Sequence, residues 1–344
     1  MRGRQARSVR SSLASALSLV VLAGAAGCSG TTSPGASAAS PPSVPSAEPG
    51  PAPSAPPTLP DCAHLPDPWL HKNVAMALGA SSFDAPLDEQ ALLSVGQLMT
   101  SASSLEGIGC LKNLESLNIS GTRVADLSPL AALPKLRILD AGGALVSDLS
   151  PLSGLHTLVA VRVSATRVTD LRPLSRLSRL RSLDLSKTAV TDLSPLSGLW
   201  RLSHLNLEGA PVRDLRPLGQ LQALDALILR KTPVEDLTPL AGLPNLGSLD
   251  LSATPVRDVT SLRGAANLMF LRLDGAAVTD LSPLSGLPRL ASLQIVGVPV
   301  ADFGPLASLP ALVAIDVDSC KDPRVRALPR VASGACACGE PGIR

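Results

Sequence analysis

The chain has 344 residues, of which 45% are hydrophobic, so it is long and apolar enough to form one or two packed domains. Its formal charge of +2 becomes −2 without Arg2, Arg4, Arg7 and Arg10, which precede an apolar segment that looks removable. A near-neutral chain with three Phe, two Trp and no Tyr lacks the basic, stacking surface of nucleic-acid-binding proteins, and that class is excluded.

Residues 1–27 have the pattern of a secretory signal peptide. Four arginines are followed by the apolar stretch Leu13–Leu22 and then by small residues that end at Cys28. The apolar run is short and rich in Ser and Gly, which disfavours the alternative of an uncleaved membrane anchor. We therefore expect the chain to be exported.

The segment Ala25-Ala26-Gly27-Cys28 resembles the lipobox of bacterial lipoproteins, although Leu is commoner than Ala at position 25. This resemblance implies a diacylglycerol on the Cys28 thiol, cleavage before Cys28 and acylation of the new amino group. Ser29 follows Cys28, where many lipoproteins retained at an inner membrane have Asp. If the cell has two membranes, the resemblance therefore implies the outer membrane or the cell surface.

Residues 28–60 begin at the lipidated cysteine and continue as a segment rich in Pro, Ser and Ala that contains one charged residue. Such a segment cannot bury enough apolar surface to fold, and its prolines favour an extended conformation. We predict a disordered stalk that holds the folded part of the chain away from the membrane.

Nine aspartates recur every 22 residues without an insertion, which indicates a repeat architecture. They are Asp126, Asp148, Asp170, Asp192, Asp214, Asp236, Asp258, Asp280 and Asp302. In the copy around Asp192, Leu183 and Leu185 alternate with polar residues, as in a short strand with one buried face. From Leu193 to Leu202 a leucine returns at every third position, and Pro195 disfavours an α-helix there, so 3₁₀ or irregular turns are predicted.

Each of these aspartates is predicted to cap the backbone where the strand ends and the return segment begins. A ladder of calcium-binding aspartates is the alternative. Such a ladder would need several oxygen ligands from each loop, and the neighbouring Leu and Val residues argue against it. No metal site is predicted from these residues.

The pattern L-x-x-L-x-L-x-x-T/A-x-V-x-D-L-x-P-L-x-x-L-x-x resembles the leucine-rich repeats of bacterial internalin-like proteins from Leu65 to Val317. The resemblance implies an α/β solenoid, a horseshoe or arc of about ten parallel strands on a concave face, with 3₁₀ or irregular turns on the convex side. It also implies a helical N-terminal cap, which we place over residues 61–104, followed by repeats over 105–319. The cysteines of residues 320–344 predict a C-terminal cap or tail there. The family's usual buried Asn is replaced by Thr122, Thr166, Thr188, Thr232 and Thr254, and by Ala144, Ala210 and Ala276, so a continuous asparagine ladder is not expected.

The exported compartment allows disulfide bonds between the cysteines that follow Cys28. Cys62 with Cys110 would join the cap to the first repeat, and Cys320 with either Cys336 or Cys338 would close the last coil. One thiol is then left over, either free, bonded to another chain or exchanging within the set. A metal site of three thiolates lacks a nearby His as fourth ligand, and we do not predict one.

No arrangement of residues predicts catalysis or a cofactor. None of the four histidines, His64, His71, His156 and His204, belongs to a recognisable nucleophile or metal motif, and the glycines do not form a phosphate-binding signature. We expect a protein that is not an enzyme.

Protein binding is predicted on the concave face, because each strand exposes a side chain between two inward leucines. This row is Asn118, Asp140, Arg162, Asp184, Asn206, Ile228, Asp250, Arg272, Gln294 and Asp316. Two clusters carry the large or charged side chains typical of interfaces: His204, Asn206, Ile228 and Arg230, and then Phe270, Arg272 and Asp274. The alternative is an envelope scaffold that self-associates or binds matrix. Trp200, on the return side, is expected to cover the core.

Overall fold

The structure, a computed structural model, describes residues 62–80, 82–318, 328 and 336–338. The predictions for the signal peptide, Cys28, the stalk, Cys320 and most of the tail concern residues outside this part of the chain. So does the predicted pairing of Cys320 with Cys336 or Cys338.

The described residues form one parallel sheet whose strands follow one another in chain order. Neighbouring strands within the repeats pair without a shift, so that Leu183 lies beside Leu205, 22 residues later. The predicted leucine-rich repeat solenoid is therefore confirmed. The strands are β1 Gln97–Met99, β2 Ser116–Asn118, β3 Ile138–Asp140, β4 Ala160–Arg162, β5 Ser182–Asp184, β6 His204–Asn206, β7 Ala226–Ile228, β8 Ser248–Asp250, β9 Phe270–Arg272, β10 Ser292–Gln294, β11 Ala314–Val317 and β12 Cys336–Cys338.

The return segments contain short 3₁₀ helices, most of which carry Pro in their first turn, and the preference for 3₁₀ over α-helix is also confirmed. Pro195 is an example, since the helix that contains it ends after three residues. The 3₁₀ helices are Ile108–Cys110, Ser128–Ala132, Ser150–Leu152, Arg172–Leu174, Ser194–Leu196, Arg216–Gln220, Thr238–Leu240, Thr260–Gly264, Ser282–Leu284 and Gly304–Ser308.

The core is a continuous stack of leucines and valines between the sheet and the return segments. In one coil, Leu183, Leu185, Val190, Leu193 and Leu196 are all buried, as the two periods in the sequence predict. Burial of each such side chain stabilises the fold by about 1.5–3 kcal/mol. No coil encloses its own leucines, so each repeat depends on its neighbours.

Two helices form the N-terminal cap, which agrees with the predicted helical cap. α1 Pro68–Ala77 begins after Asp67, has Pro in its first turn and buries Leu70 and Val74 on one face. α2 Glu89–Leu92 begins after Asp88, whose carboxylate accepts a hydrogen bond from the Gln90 amide.

Twelve strands are present in the described residues, where the sequence predicts about ten. At the N-terminal end, β1 lies within the cap and pairs with β2. At the other end, β12 in the tail pairs with β11, and Leu328 before it is buried. The cap and the tail therefore extend the sheet beyond the repeats, although neither has the repeat pattern that revealed the other strands.

Cys62 and Cys110 are joined by a disulfide, with their Cα atoms 5.7 Å apart. The bond links the segment before α1 to the first 3₁₀ helix of the repeats.

A tight turn follows most strands at an equivalent position in the left-handed region of the backbone. Gly occupies this position in some repeats, but Lys187 adopts φ of 57° and Ala253 adopts φ of 56°. A left-handed residue with a Cβ costs about 1–2 kcal/mol relative to Gly. The packing of the repeats therefore holds the backbone in this conformation even where a Cβ makes it sterically unfavourable.

The recurring aspartates and threonines satisfy backbone groups within their own repeats. Each of the nine aspartates accepts a hydrogen bond from the amide two residues later, at 2.7–2.9 Å. The buried Thr188 hydroxyl donates to the Leu185 carbonyl at 2.6 Å, and the other four threonines do the same three residues back. The threonines thus close turns inside one coil, where the asparagines of the usual family pattern would form a ladder.

Acid is expected to destabilise the repeats as pH falls from about 4 to about 2. Hydrogen bonds from the Arg216 guanidinium and amide lower the pKa of Asp214 from 3.8 to about 2. The residue two positions later lowers the pKa in the same way at Asp126, Asp148, Asp170, Asp192, Asp236, Asp258 and Asp280. A carboxylate with a lowered folded-state pKa stabilises the fold above its unfolded pKa, and this contribution disappears as pH falls through the folded pKa.

Thermal unfolding across this pH range measures the effect. An Asp170→Asn/Asp214→Asn variant keeps the side-chain oxygen that accepts the amide hydrogen bond but does not titrate there, so its melting temperature should depend less on pH. An unchanged pH dependence in this variant would contradict the assignment.

Candidate binding surface

The exposed face of the sheet presents side chains in columns that run across the strands. In most of the three-residue strands the middle side chain is buried and the two outer ones are at least partly exposed, as in β5 and β6, whereas in β8 the outer Asp250 is also buried. Because every strand is in register, equivalent residues are neighbours about 4.8 Å apart. The predicted row from Asn118 to Asp316 forms one of these columns.

Charged side chains in this column mostly pair with one another. The Arg162 guanidinium lies 2.6 Å from the Asp140 carboxylate and 3.6 Å from that of Asp184. The Gln294 amide donates to Asp316 at 2.6 Å. These charged and amide groups already have partners within the column, so fewer of them are available to bind another protein than the sequence alone indicates.

The first predicted cluster lies on two adjacent strands. His204 and Asn206 belong to β6, where Asn206 pairs in register with Ile228 of β7, and Arg230 follows β7. His204 Nδ1 lies 2.8 Å from the Ser203 hydroxyl. Arg230 Nε lies 3.7 Å from the carboxylate of Glu208, with about half of the arginine side chain exposed. The four residues form one patch with an aliphatic centre.

The second predicted cluster is centred on β9. Phe270 is partly exposed, and its neighbours in register are Ser248 and Ser292, which both have small side chains. Arg272 lies two residues along, 3.5 Å from the buried carboxylate of Asp250. The cluster therefore combines a partly exposed aromatic ring with an ion pair.

Asp274 completes the second cluster as a partly buried carboxylate. It accepts a hydrogen bond from the Val296 amide at 2.8 Å. Burial raises the pKa of Asp274, and the nearby Asp250 and Asp316 carboxylates raise it further, against the lowering effect of the Val296 amide and Arg272. A cationic or hydrogen-bond-donating group from a partner would stabilise the charged form of Asp274 against both its desolvation and the repulsion from Asp250 and Asp316.

Sequence reasoning missed a cleft of about 860 Å³ between α1 and the first strands. Its lining includes Trp69, Met76 and Met99, whose exposed fractions are 53%, 54% and 72%. Lys72 Nζ lies 5.2 Å from the centre of the Trp69 ring. The only available signal was the presence of large apolar residues on the outer face of the predicted cap helix.

The expectation that Trp200 covers the core is wrong. Leu199 and Leu202 are buried on either side of it, so the side chain of Trp200 points outward and is 56% exposed. The Arg201 guanidinium lies over the indole, 4.5 Å from the ring centre. The indole therefore belongs to the surface of the return side.

In the part of the chain that the structure describes, no group of three or more His, Cys, Asp or Glu side chains is placed to hold a metal ion. His71 is a buried histidine whose ring contacts backbone groups on both sides. Its Nδ1 accepts a hydrogen bond from the Leu65 amide at 3.3 Å, and its Nε2 lies 3.1 Å from the Ala85 carbonyl. Over the same residues, every helix is too short or too polar to span a bilayer.

A family model described as leucine-rich repeats (2 copies) matches residues 112–154. A crystal structure of an internalin (inlF) from Listeria monocytogenes is 30% identical over 76% of this chain and 78% of that chain, with a TM-score of 0.72. Internalin C2 from the same organism is 33% identical over 61% of this chain and 94% of that chain, with a TM-score of 0.59.

The ectodomain of the Arabidopsis thaliana receptor kinase GASSHO1/SCHENGEN3, solved in complex with CASPARIAN STRIP INTEGRITY FACTOR 2, shares the fold alone. It is 19% identical over 61% of this chain and 28% of that chain, with a TM-score of 0.53. The search of curated proteins found no match.

Proposed function

This chain belongs to the internalin-type leucine-rich repeat proteins, and on that premise we propose that it is a noncatalytic module that binds a protein partner on the exposed face of its sheet. Leucine-rich repeat proteins commonly act as protein-binding modules, and the fold supplies a long, ordered surface for that purpose. Fold alone does not specify the site, which must come from particular side chains.

The observation that carries the proposal is the partly exposed Phe270 on the sheet face, with a serine on each neighbouring strand. An aromatic ring with small neighbours can enter a pocket on a partner without displacing its own surroundings. Arg272 and Asp274 lie beside it, so the ring is flanked by polar groups that can orient the partner. We assign His204, Asn206, Ile228 and Arg230 to a second contact on the same face.

We place this module in the bacterial cell envelope. The signal-like start, the lipobox-like residues before Cys28 and the stalk over residues 28–60 together support export and lipid anchoring. In a cell with two membranes, Ser29 favours the outer membrane or the cell surface. We assign no catalytic residue, metal or cofactor.

Crosslinking in the envelope of the source cell tests the proposal. The full chain would carry a photoreactive residue at position 292, beside Phe270, and captured proteins would be identified by mass spectrometry. A Phe270→Ala variant should lose the captured partner. The matched control is Ile138→Ala, which removes a large apolar side chain from the same column on β3.

Loss of a distinct protein with Phe270→Ala but not with Ile138→Ala would support recognition at the second cluster. Equal capture by both variants would overturn this site. Capture of only the chain itself would favour the alternative, an envelope scaffold that self-associates.

A further inference from the structure

The return side of the repeats carries a group of exposed basic residues outside the sheet face. Arg176, Arg179 and Arg181 lie in one repeat, and Trp200 and Arg201 lie in the next, where equivalent positions are 22 residues apart. All five side chains are exposed. We call this set the arginine ridge.

Arg179 and Arg201 interrupt a pattern of hydrogen bonds between successive repeats. At their position in five other repeats the side chain bonds to the preceding repeat, at 2.6–2.8 Å, whereas Ala223 and Ala311 have no polar side chain there. These contacts join Lys135 to Asn113, Thr157 to Leu136, Asn245 to Gln222, Asn267 to Pro244 and Arg289 to Asn267. The guanidinium groups of Arg179 and Arg201 have no hydrogen-bond or acidic partner among the described residues. They therefore do not contribute to joining the repeats.

Two acidic residues, Glu115 and Asp225, occupy the position of Arg181 in other repeats, and neither forms an ion pair with the ridge. Glu115 lies 3.3 Å from Arg137. The Asp225 side chain extends toward the following repeat, where its carboxylate would lie 2.6 Å from a Cβ placed on Gly247. Among the described residues no acidic side chain pairs with Arg179 or Arg201, and like charges on adjacent repeats repel each other.

Trp200 gives the ridge an apolar component. The indole is 56% exposed, with the Arg201 guanidinium 4.5 Å from its ring centre. Indole and arginine side chains both place an apolar body and a polar tip at the boundary between hydrocarbon and water. Tryptophan is enriched at that boundary, and basic clusters bind anionic headgroups there.

We propose that the arginine ridge binds the anionic headgroups of a phospholipid bilayer, with Trp200 inserted at the headgroup level. The proposal rests on the lipid anchoring proposed above: an anchor at Cys28 would keep the ridge within reach of the membrane, and the flexible stalk that spaces the folded part from the surface would also let it approach. Arginines alone would suit an acidic protein as well as a bilayer. The exposed indole favours the bilayer, because a membrane interface offers it an environment in which tryptophan is enriched.

Vesicle binding tests the proposal independently of the anchor. A full chain with Cys28→Ser, which removes the acylation site, would be mixed with phosphatidylcholine vesicles with and without phosphatidylglycerol. We expect binding only to the anionic vesicles, and weaker binding at high salt. Each ridge arginine should raise the affinity for anionic vesicles about fivefold. The Arg179→Gln/Arg201→Gln variant should therefore bind these vesicles about 25-fold more weakly.

The matched control is Arg123→Gln/Arg257→Gln, which removes two exposed arginines outside the ridge and should change vesicle binding much less. Fluorescence supplies a second measurement: in a Trp69→Phe background the remaining tryptophan is Trp200, and its emission should shift to the blue on anionic vesicles only.

No binding to anionic vesicles, equal losses in the two double variants, or an unshifted emission would each overturn the proposal. Binding to a glutamate-rich peptide without binding to vesicles would overturn it in favour of an acidic protein. Neither set of variants changes Phe270, so partner capture at the sheet face succeeds or fails separately.

Discussion

Replacing Cys62 by serine is expected to lower the free energy of unfolding by about 4 kcal/mol in the loop-entropy model. The bond to Cys110 spans a sequence separation of 48 residues and holds the cap against the first repeat. Without it, the unfolded chain gains the conformational freedom of that loop. Denaturant unfolding of the parent and the variant under oxidising conditions measures the difference.

Cys110→Ser should cost the same amount, and the double variant should cost little more than either single variant, because both changes remove one bond. Losses that add in the double variant would show that the cysteines act through packing. In a repeat protein stability is nearly a sum of neighbouring contacts, so the loss should appear first as unfolding of the cap and adjoining coils.

Replacing Asp67 by alanine is expected to destabilise the fold by about 3 kcal/mol, the second largest effect. One carboxylate oxygen accepts from the Trp69 and Leu70 amides at 2.9 and 3.0 Å and caps α1. The other accepts from the Ser103 amide and hydroxyl and from the Ser104 amide, at 2.9–3.0 Å. The substitution would leave donors at the helix start and in the loop before the first repeat without their partner.

Asp67→Asn provides the control, because it keeps one accepting oxygen and should lose only part of the stability. Burial raises the pKa of Asp67, but the hydrogen bonds from Leu70, Ser103 and Ser104 together outweigh it, so the net pKa is lowered. The carboxylate therefore stabilises the fold above its unfolded pKa, and this contribution is lost as pH falls through the lower folded value. A parent and an Asp67→Ala variant with the same stability at neutral pH would contradict this role.

The repeat fold could be predicted from the sequence because one pattern occurs many times. A single Leu183-x-Leu185 is ambiguous, but its return every 22 residues fixes the strand, the coil length and the stacking direction together. The column of aspartates could be placed for the same reason. Where the pattern stops, prediction fails, so β1 in the cap and β12 in the tail were not foreseen.

Details of the surface could not be predicted from the repeat. The period identifies which residues face outward, but not that Arg162 pairs with Asp140 or that Arg272 lies beside a buried Asp250, since these distances depend on the exact separation of strands. Trp200 was misplaced because a large aromatic residue suggests burial, while its position between two inward leucines required exposure. The link from Asp67 to the loop before the first repeat could not be predicted because Ser103 and Ser104 lie 36 and 37 residues away in sequence.

Because the repeats pair without a shift in register, adding one repeat changes the distance between two surface clusters by one strand spacing. Duplicating the 22-residue unit that contains β8 would move the two predicted clusters apart by about 4.8 Å while leaving the residues of each cluster, and the Asp250 beside Arg272, in place. Individual side chains thus determine which groups a partner contacts, and the number of repeats determines how far apart these contacts lie.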